Sequence, residues 1–550
     1  MAAQKEFYNK KPDTQSRLIG TVIPVGALKT EKSLGVGEFP DLAEFGELCV
    51  KMGIGLIQLL PVNDTGYQSS PYSALTAFGL HPLYLRIGNL PESAAFGTDI
   101  EAIREKNVNA ARFSHGALLR DKMDLLKKIF DDNKKGICSS PALKAWIEEN
   151  PWVKPYAVFR QLKEANSEKS WREWDGQNGQ SGQTAEAINI NALWDDPSLA
   201  GEHLFWAWIQ QALDAQFSAA VASLADLGIV LLGDLPILMN EDSCDVWAHP
   251  ENFNLDMSAG APPDMYSPEG QNWGFPIYNW EEQSKDGYSW WKARLKAAEK
   301  YYHAYRIDHV LGFFRIWASR REDNSALLGR YTPFLPAGQK DFKKLDFDES
   351  RVRWVTEPHI LTGEVWDSLK GDIFDENELR EAANRVFDLA LDRIGDEHLW
   401  LFRKNIRGEK DICALDIHPA AKAFLLKAWG NRIFFEHESG KYYPVWYYNQ
   451  SRAYASLSEE EREALEAILQ RHLEDSEKTW EEEGKKLLSV LTSSCSMLPC
   501  AEDLGAVPAC VPKVLTELNI LGLRVVRWYR EWGKEGEPYV PFEEYPELSV

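Results

Sequence analysis

Positive charge is scarce in this 550-residue chain: 61 Lys and Arg stand against 84 Asp and Glu, a formal net charge of −23. Nucleic-acid binding needs a basic face to neutralise phosphates, and the Lys127–Lys128 and Lys134–Lys135 pairs read as solvated surface instead. Long apolar runs are missing too. The best, GIVLLGDLPILM from Gly228, is too short to span a bilayer and carries Asp234, and the opening MAAQKEFYNKKPDTQSR has no signal-peptide core. Seven cysteines, at 49, 138, 244, 413, 495, 500 and 510, form no C-x-x-C pair and no zinc-like Cys/His grouping. Their odd count makes a poor disulfide framework, so a reducing cytoplasm is the expected location. H-E-x-x-H, G-x-x-x-x-G-K-[ST] and G-x-S-x-G do not occur, and GVGEFP at Gly35 lacks the third glycine of a dinucleotide fingerprint. Metal, nucleotide and serine-hydrolase chemistry thus have no motif, and neither a cofactor nor a metal is expected.

What is present is ordinary for a globular chain, 44% hydrophobic and 26% charged, which excludes wholesale disorder. The length predicts several domains, or one large domain with insertions. The 21 tryptophans are abundant. Core packing accounts for most, but indole faces also stack on the flat faces of sugar rings.

The chain opens with a βα rhythm. Leu18–Val25 is short, apolar and β-branched, the pattern of a buried strand. A helix follows from Pro40, with Leu42, Phe45, Leu48, Cys49 and Met52 on one stripe and Gly53 as its stop. Ile54–Val62 reads as a second buried strand. Further strands are predicted at Gly228–Leu238, after an apolar helical run from Phe217, at YRIDH (Tyr305–His309), near Met497–Gly505 and at Gly522–Trp528. The terminal YPELSV is a place where another begins, so at most six complete parallel strands are expected.

Two interruptions break the rhythm. About 130 residues rich in Lys, Glu, Trp and Asn separate the second and third strands, including GQNGQSG (Gly176–Gly182), which reads as a flexible loop. The other carries a helix after Ser458, with a Ser458/Glu461 capping box ahead of Ala464, Leu465, Ile468, Leu469 and Leu473. The expected organisation is barrel start 1–84, inserted subdomain 85–215, barrel 216–320, helical insertion 321–495 and barrel 496–550.

Ligands of such sheets sit at the carboxyl ends of the strands, and each end here runs into carboxylates or aromatics. Asp308 and Glu502, on neighbouring predicted strands, are candidates for the carboxylate pair that cleaves a glycosidic bond. Arg306, two residues before Asp308 on the same strand face, is expected to hold it ionised. By spacing alone a structural Arg–Asp pair fits better. Taken singly, AEDLG reads as a helix cap, and Asp234 in GDLP and the SPY of Ser70–Tyr72 read as turns; four such features on successive strand ends weaken that bland account.

Taken together, LLPVNDTGYQSSPYSALTAFGLHP, GDLPILMNEDSCDVW, GAPPDMYSPEGQNWGFPIYNW, AYRIDHVLGFFRIW and CAEDLGAVPACVP resemble the 4-α-glucanotransferases, or amylomaltases and disproportionating enzymes, of glycoside hydrolase family 77. The long gap between Asp308 and Glu502 is similar to the subgroup with a large insertion, as in the plant cytosolic disproportionating enzyme. The resemblance implies an α/β fold of the (β/α)8 (TIM) barrel type with two largely helical insertions, and retaining transfer between α-1,4-glucans. Asp308 would be the nucleophile and Glu502 the general acid and base, with carboxyls roughly 5–5.5 Å apart. Arg306 would orient Asp308, while His309, Asp234 and Tyr72 would contact the donor sugar. Gln271 and Trp273 would belong to a lid over the acceptor side. Maltose, maltodextrins and a glycogen-like polysaccharide are the implied substrates, with no nucleic acid and no membrane. The family's third carboxylate, in a His-Asp motif on the seventh strand, would fall beyond Val550, so a truncated chain without its last two βα units is expected. An inactive glucan-binding protein and an α-amylase-like hydrolase are the alternatives.

Overall fold

A computed structural model of the chain describes all residues except 1–17, 109–111, 113, 175–188, 397, 532–535, 537–538 and 547–548. The expected GQNGQSG loop and the opening segment lie outside the described residues. Contacts gather the chain into two compact units: one of residues 1–253, 278–310 and 486–550, the other of 254–277 and 311–485.

The first unit is built on a six-stranded sheet: β1 (Gly20–Ile23), β2 (Leu56–Leu59), β3 (Val230–Leu235), β4 (Ala304–Ile307), β5 (Leu498–Ala501) and β6 (Leu521–Gly522), adjacent in that order. Every pair is parallel. Parallel neighbours need crossovers, and helices supply them. The stripe after Pro40 forms α1 (Asp41–Lys51), with Leu42 and Cys49 buried. The run from Phe217 is the end of α4 (Ala200–Asp226), which leads into β3. Between β2 and α4 lie α2 (His115–Ser139) and α3 (Val153–Ala165), packed in the same unit. All of β3 is buried, and Gly233 is needed there: a Cβ would lie 2.4 Å from the Tyr302 ring.

Buried charge ties α2 to the start of α1 and to the segment after β2. Lys122, with no exposed side-chain surface, donates to Glu38 Oε1 and the Leu83 carbonyl, each at 2.7 Å. Arg86 Nε donates to the other Glu38 oxygen at 2.9 Å and also binds Asp41. Asp41 further accepts from Ser33 Oγ and the Glu38 N–H. Each buried charge therefore has an opposite partner and hydrogen bonds, the condition under which such groups are tolerated inside a protein.

The sixth strand is shorter than the predicted Gly522–Trp528. Asp503 takes the Leu523 N–H at 2.8 Å and the Arg524 guanidinium at 2.8 Å. Leu523 N–H also reaches the Ala501 carbonyl of β5 at 3.1 Å and Arg524 N–H turns to the Val550 carbonyl at 2.9 Å, after which Trp528 N–H bonds the Val525 carbonyl. Ser549 forms a parallel bridge with Gly522, and Val550 N–H donates to the Gly522 carbonyl at 2.9 Å. A strand contact thus begins in YPELSV, as expected.

The second unit is helix-rich and also contains strands that the sequence reading did not anticipate. A four-stranded sheet is ordered Gln271–Tyr278, Phe253–Ala261, Ile316–Arg320, Arg330–Thr332. A three-stranded and a two-stranded sheet accompany it. Strands of three to five residues do not separate from loops by periodicity, whereas Phe253–Ala261 and Gln271–Tyr278 run nine and eight residues. The helix after Ser458 is α6 (Glu459–Ser494). Its capping box is reciprocal, Glu461 N–H to Ser458 Oγ at 3.1 Å and Ser458 N–H to Glu461 Oε2 at 2.7 Å.

Candidate active site

Strand register assembles the site. Arg306 pairs with Asp234 on one side and Cys500 on the other, one level above the Leu232–Ala304 pair, which clusters with Cys500. Two residues further along β4 and β5, on the same face, come Asp308 and Glu502. The ladder continues through both: Asp308 N–H donates to Leu235 O at 3.2 Å, Glu502 N–H to Ile307 O at 2.9 Å, and Val310 N–H to Glu502 O at 3.1 Å. Backbone bonds thus hold the two carboxylates on neighbouring strand ends.

One guanidinium serves two acids. Arg306 Nη1 is 2.6 Å from Asp234 Oδ1 and 3.3 Å from Asp308 Oδ1. Tyr72, carried to the site by the loop after β2, donates its hydroxyl to Asp234 Oδ2 at 2.8 Å. SPY is therefore more than a turn. Arg306 and Asp308 do share a face, as the spacing requires, but Arg306 does not hold Asp308 ionised. Burial, then the charge of Asp234 and to a smaller degree that of Glu502, outweigh Arg306 and push the Asp308 carboxyl up to about 7. Burial likewise raises Asp234, against Arg306 and Tyr72, and raises Glu502. Three acids competing for one cation hold a proton at pH values where isolated carboxyls are ionised.

His309 has a backbone role that sequence reasoning missed. Its φ of 46° is left-handed, unusual for a residue with a side chain. The turn aims its N–H at Glu502 Oε2, 2.8 Å away. Only the folded turn shows this, since the donor is main chain. Burial lowers its imidazole to about 4, so at neutral pH the ring is an uncharged hydrogen-bonding group. The AEDLG pair divides: Glu502 faces this site while Asp503 binds Arg524.

Gln271 and Trp273 are not brought to this cluster by the first unit. They begin a strand of the second unit, where Trp273 Nε1 donates to Gln271 Oε1 at 3.1 Å. Gly260 opposite permits the hairpin to close, because a Cβ there would meet the Gln271 carbonyl at 1.8 Å. Among the described residues no group of three or more His, Cys, Asp or Glu side chains is placed to hold a metal, and no helix is long and apolar enough to cross a membrane.

A parallel α/β sheet that presents acidic side chains and a tyrosine around one arginine at its strand ends is the equipment of carboxylate-based glycosyl chemistry. The chain belongs to the 4-alpha-glucanotransferase family, glycoside hydrolase family 77, whose family model matches residues 23–550. It is 33% identical over 541 residues to the 4-alpha-glucanotransferase DPE2 of Oryza sativa subsp. japonica, an alignment covering 92% of this chain and 54% of the rice protein. The chain thus spans about half the length of that relative. Among solved structures it is similar to the amylomaltase of Corynebacterium glutamicum (TM-score 0.58, 15% identity, 100% of this chain and 55% of that one). It is also similar to the Streptococcus agalactiae amylomaltase in complex with acarbose (TM-score 0.51, 21% identity, 76% of this chain and 100% of that one). At these identities the structural likeness concerns the fold, which is of the (β/α)-barrel type expected from the sequence.

Proposed function

We propose that the chain is a retaining 4-α-glucanotransferase moving glucosyl or maltodextrin units between α-1,4-glucans. The observation that carries this reading is the register that sets Asp308 beside Glu502, with the His309 N–H on Glu502. In the ionised form Asp308 attacks the anomeric carbon, forming a C–O bond to the sugar, while the glycosidic C–O bond breaks and Glu502 gives its proton to the departing oxygen. Glu502 then takes the proton of an acceptor hydroxyl, whose oxygen displaces Asp308. Arg306 orients Asp308, and Tyr72, Asp234 and His309 bind the donor sugar. Gln271 and Trp273 are assigned to acceptor recognition, and excluding water from the glycosyl-enzyme favours transfer over hydrolysis.

The proposed organisation keeps 85–215 and 321–495 as insertions between the barrel segments 1–84, 216–320 and 496–550. Maltose and maltodextrins are the proposed donors and a glycogen-like polysaccharide the acceptor, and seven free cysteines fit a cytoplasmic location. Incubating the chain with maltose and glycogen should release glucose with reducing ends constant, and Asp308→Asn should abolish that release. A steady rise in reducing ends would identify a hydrolase instead. Maltodextrin binding without turnover would identify a binding protein.

A further inference from the structure

The group that holds the β3 end in place is a second arginine outside the expected site. Arg294 lies on α5 (Ser289–Ala298), the helix that feeds β4, and is 2% exposed. Its Nη2 donates to the Pro236 carbonyl at 2.7 Å. The preceding carbonyl, Leu235 O, accepts the Asp308 N–H at 3.2 Å. Arg294 and Asp308 therefore hang from consecutive carbonyls of one segment, the segment that also carries Asp234.

The guanidinium is packed but not neutralised. Its carbon lies 5.5 Å from the Trp290 ring centre and 4.9 Å from that of Trp291, and its Nε and Nη1 have no hydrogen-bond partner. Asp245, an acid on a supporting element, is occupied by Trp290 Nε1 at 2.9 Å and by the Ala77 N–H at 2.8 Å. A fully buried cation without a carboxylate contact is costly to keep. Burial works against the guanidinium's protonated form, and the charges of Tyr278, Asp245 and, least of the three, Asp308 favour it, so Asp308 is within its electrostatic reach. Asp308 itself faces Arg306, Asp234, Tyr72 and Glu502, a set with more acids than cations.

Resting on the transferase reading above, we propose that Arg294 is a positioning residue for Asp308. It fixes the Leu235–Pro236 backbone to which Asp308 is bonded, and supplies the second positive charge that the acidic cluster lacks. A purely structural arginine would change stability alone; this one also sets the pH at which Asp308 becomes a nucleophile.

The test is labelling of the full chain with a 5-fluoro glucosyl fluoride. Asp308 bonds to the anomeric carbon, fluoride leaves, and the stalled ester is read by intact mass. In the wild type the labelling rate should fall below about pH 7. Arg294→Met should move that acid limb up by about one pH unit, slowing labelling about tenfold at pH 6, as expected for loss of one nearby charge. Arg294→Lys, which keeps a positive charge and can still donate one hydrogen bond towards the Pro236 carbonyl, should keep the limb near its wild-type position. An Arg294→Met limb that stays in place overturns the inference. If Arg294→Met does not fold, Arg294→Gln decides, since it keeps a donor for Pro236 without the charge: an unmoved limb refutes the inference and a raised one supports it. A wild-type chain that is never labelled refutes the transferase reading, and this inference falls with it, a result distinct from a labelled chain whose limb ignores Arg294.

Discussion

Asp308→Asn should make the protein more stable at pH 8 while destroying its reactivity. The folded environment raises this carboxyl from an ordinary 3.8 to about 7. Between those values the native state holds a proton that the unfolded chain has released. Stability contributed by the protonated form is complete below about pH 4 and is lost as pH rises through the folded value. The span is worth about 4 kcal/mol at 1.36 kcal/mol per pKa unit. The side chain is 27% exposed, so solvent relaxes part of this cost, and about 2–4 kcal/mol is the expected range. Asparagine occupies the same volume without charge, and its carbonyl can still accept from Arg306. Removing the charge also relieves Asp234 and Glu502. Guanidinium unfolding of wild type and variant from pH 4.5 to 8.5 tests this, read as the pH dependence of their difference. The two should nearly coincide at the acid end, with the variant ahead at pH 8. A variant less stable than wild type at pH 8, or a difference that does not change with pH, would refute the assignment of a charge-strained Asp308.

Two further outcomes follow from the same geometry. Glu502→Gln removes the proton donor and should cost about 10²–10⁴-fold in transfer from maltodextrin. Formation of the glycosyl-enzyme from glucosyl fluoride, whose leaving group needs no proton, should be far less affected; equal losses on both donors would exclude an acid role. Lys122→Met strips Glu38 of one of its two cations and leaves the Leu83 carbonyl without its lysine donor. It should destabilise the first unit by about 3–5 kcal/mol, measured by denaturant midpoint, and an unchanged midpoint would show that the network contributes little.

Much of this was legible along the chain because periodicity and strand-end position are local properties. The parallel strands, α1, α4 and the Ser458/Glu461 capping box each need only a few neighbouring residues to be recognised. The three- to five-residue strands of the second unit escaped because they carry too little pattern, whereas Phe253–Ala261, with Phe253, Leu255 and Met257 alternating with polar residues, was legible in its period; β6 is short because after Leu523 its Arg524 N–H turns to the Val550 carbonyl.

By itself the sequence determined the fold class, the family and which side chains stand at the strand ends, since alternation puts Arg306 and Asp308 on one face whatever surrounds them. The tertiary structure decided what those residues feel. It divided Arg306 between two acids, turned Asp308 from a carboxylate held ionised into one raised to about 7, and gave Glu502 a main-chain donor from a left-handed His309. Charge balance at a site depends on burial and on distances between residues hundreds of positions apart, and no local pattern encodes either.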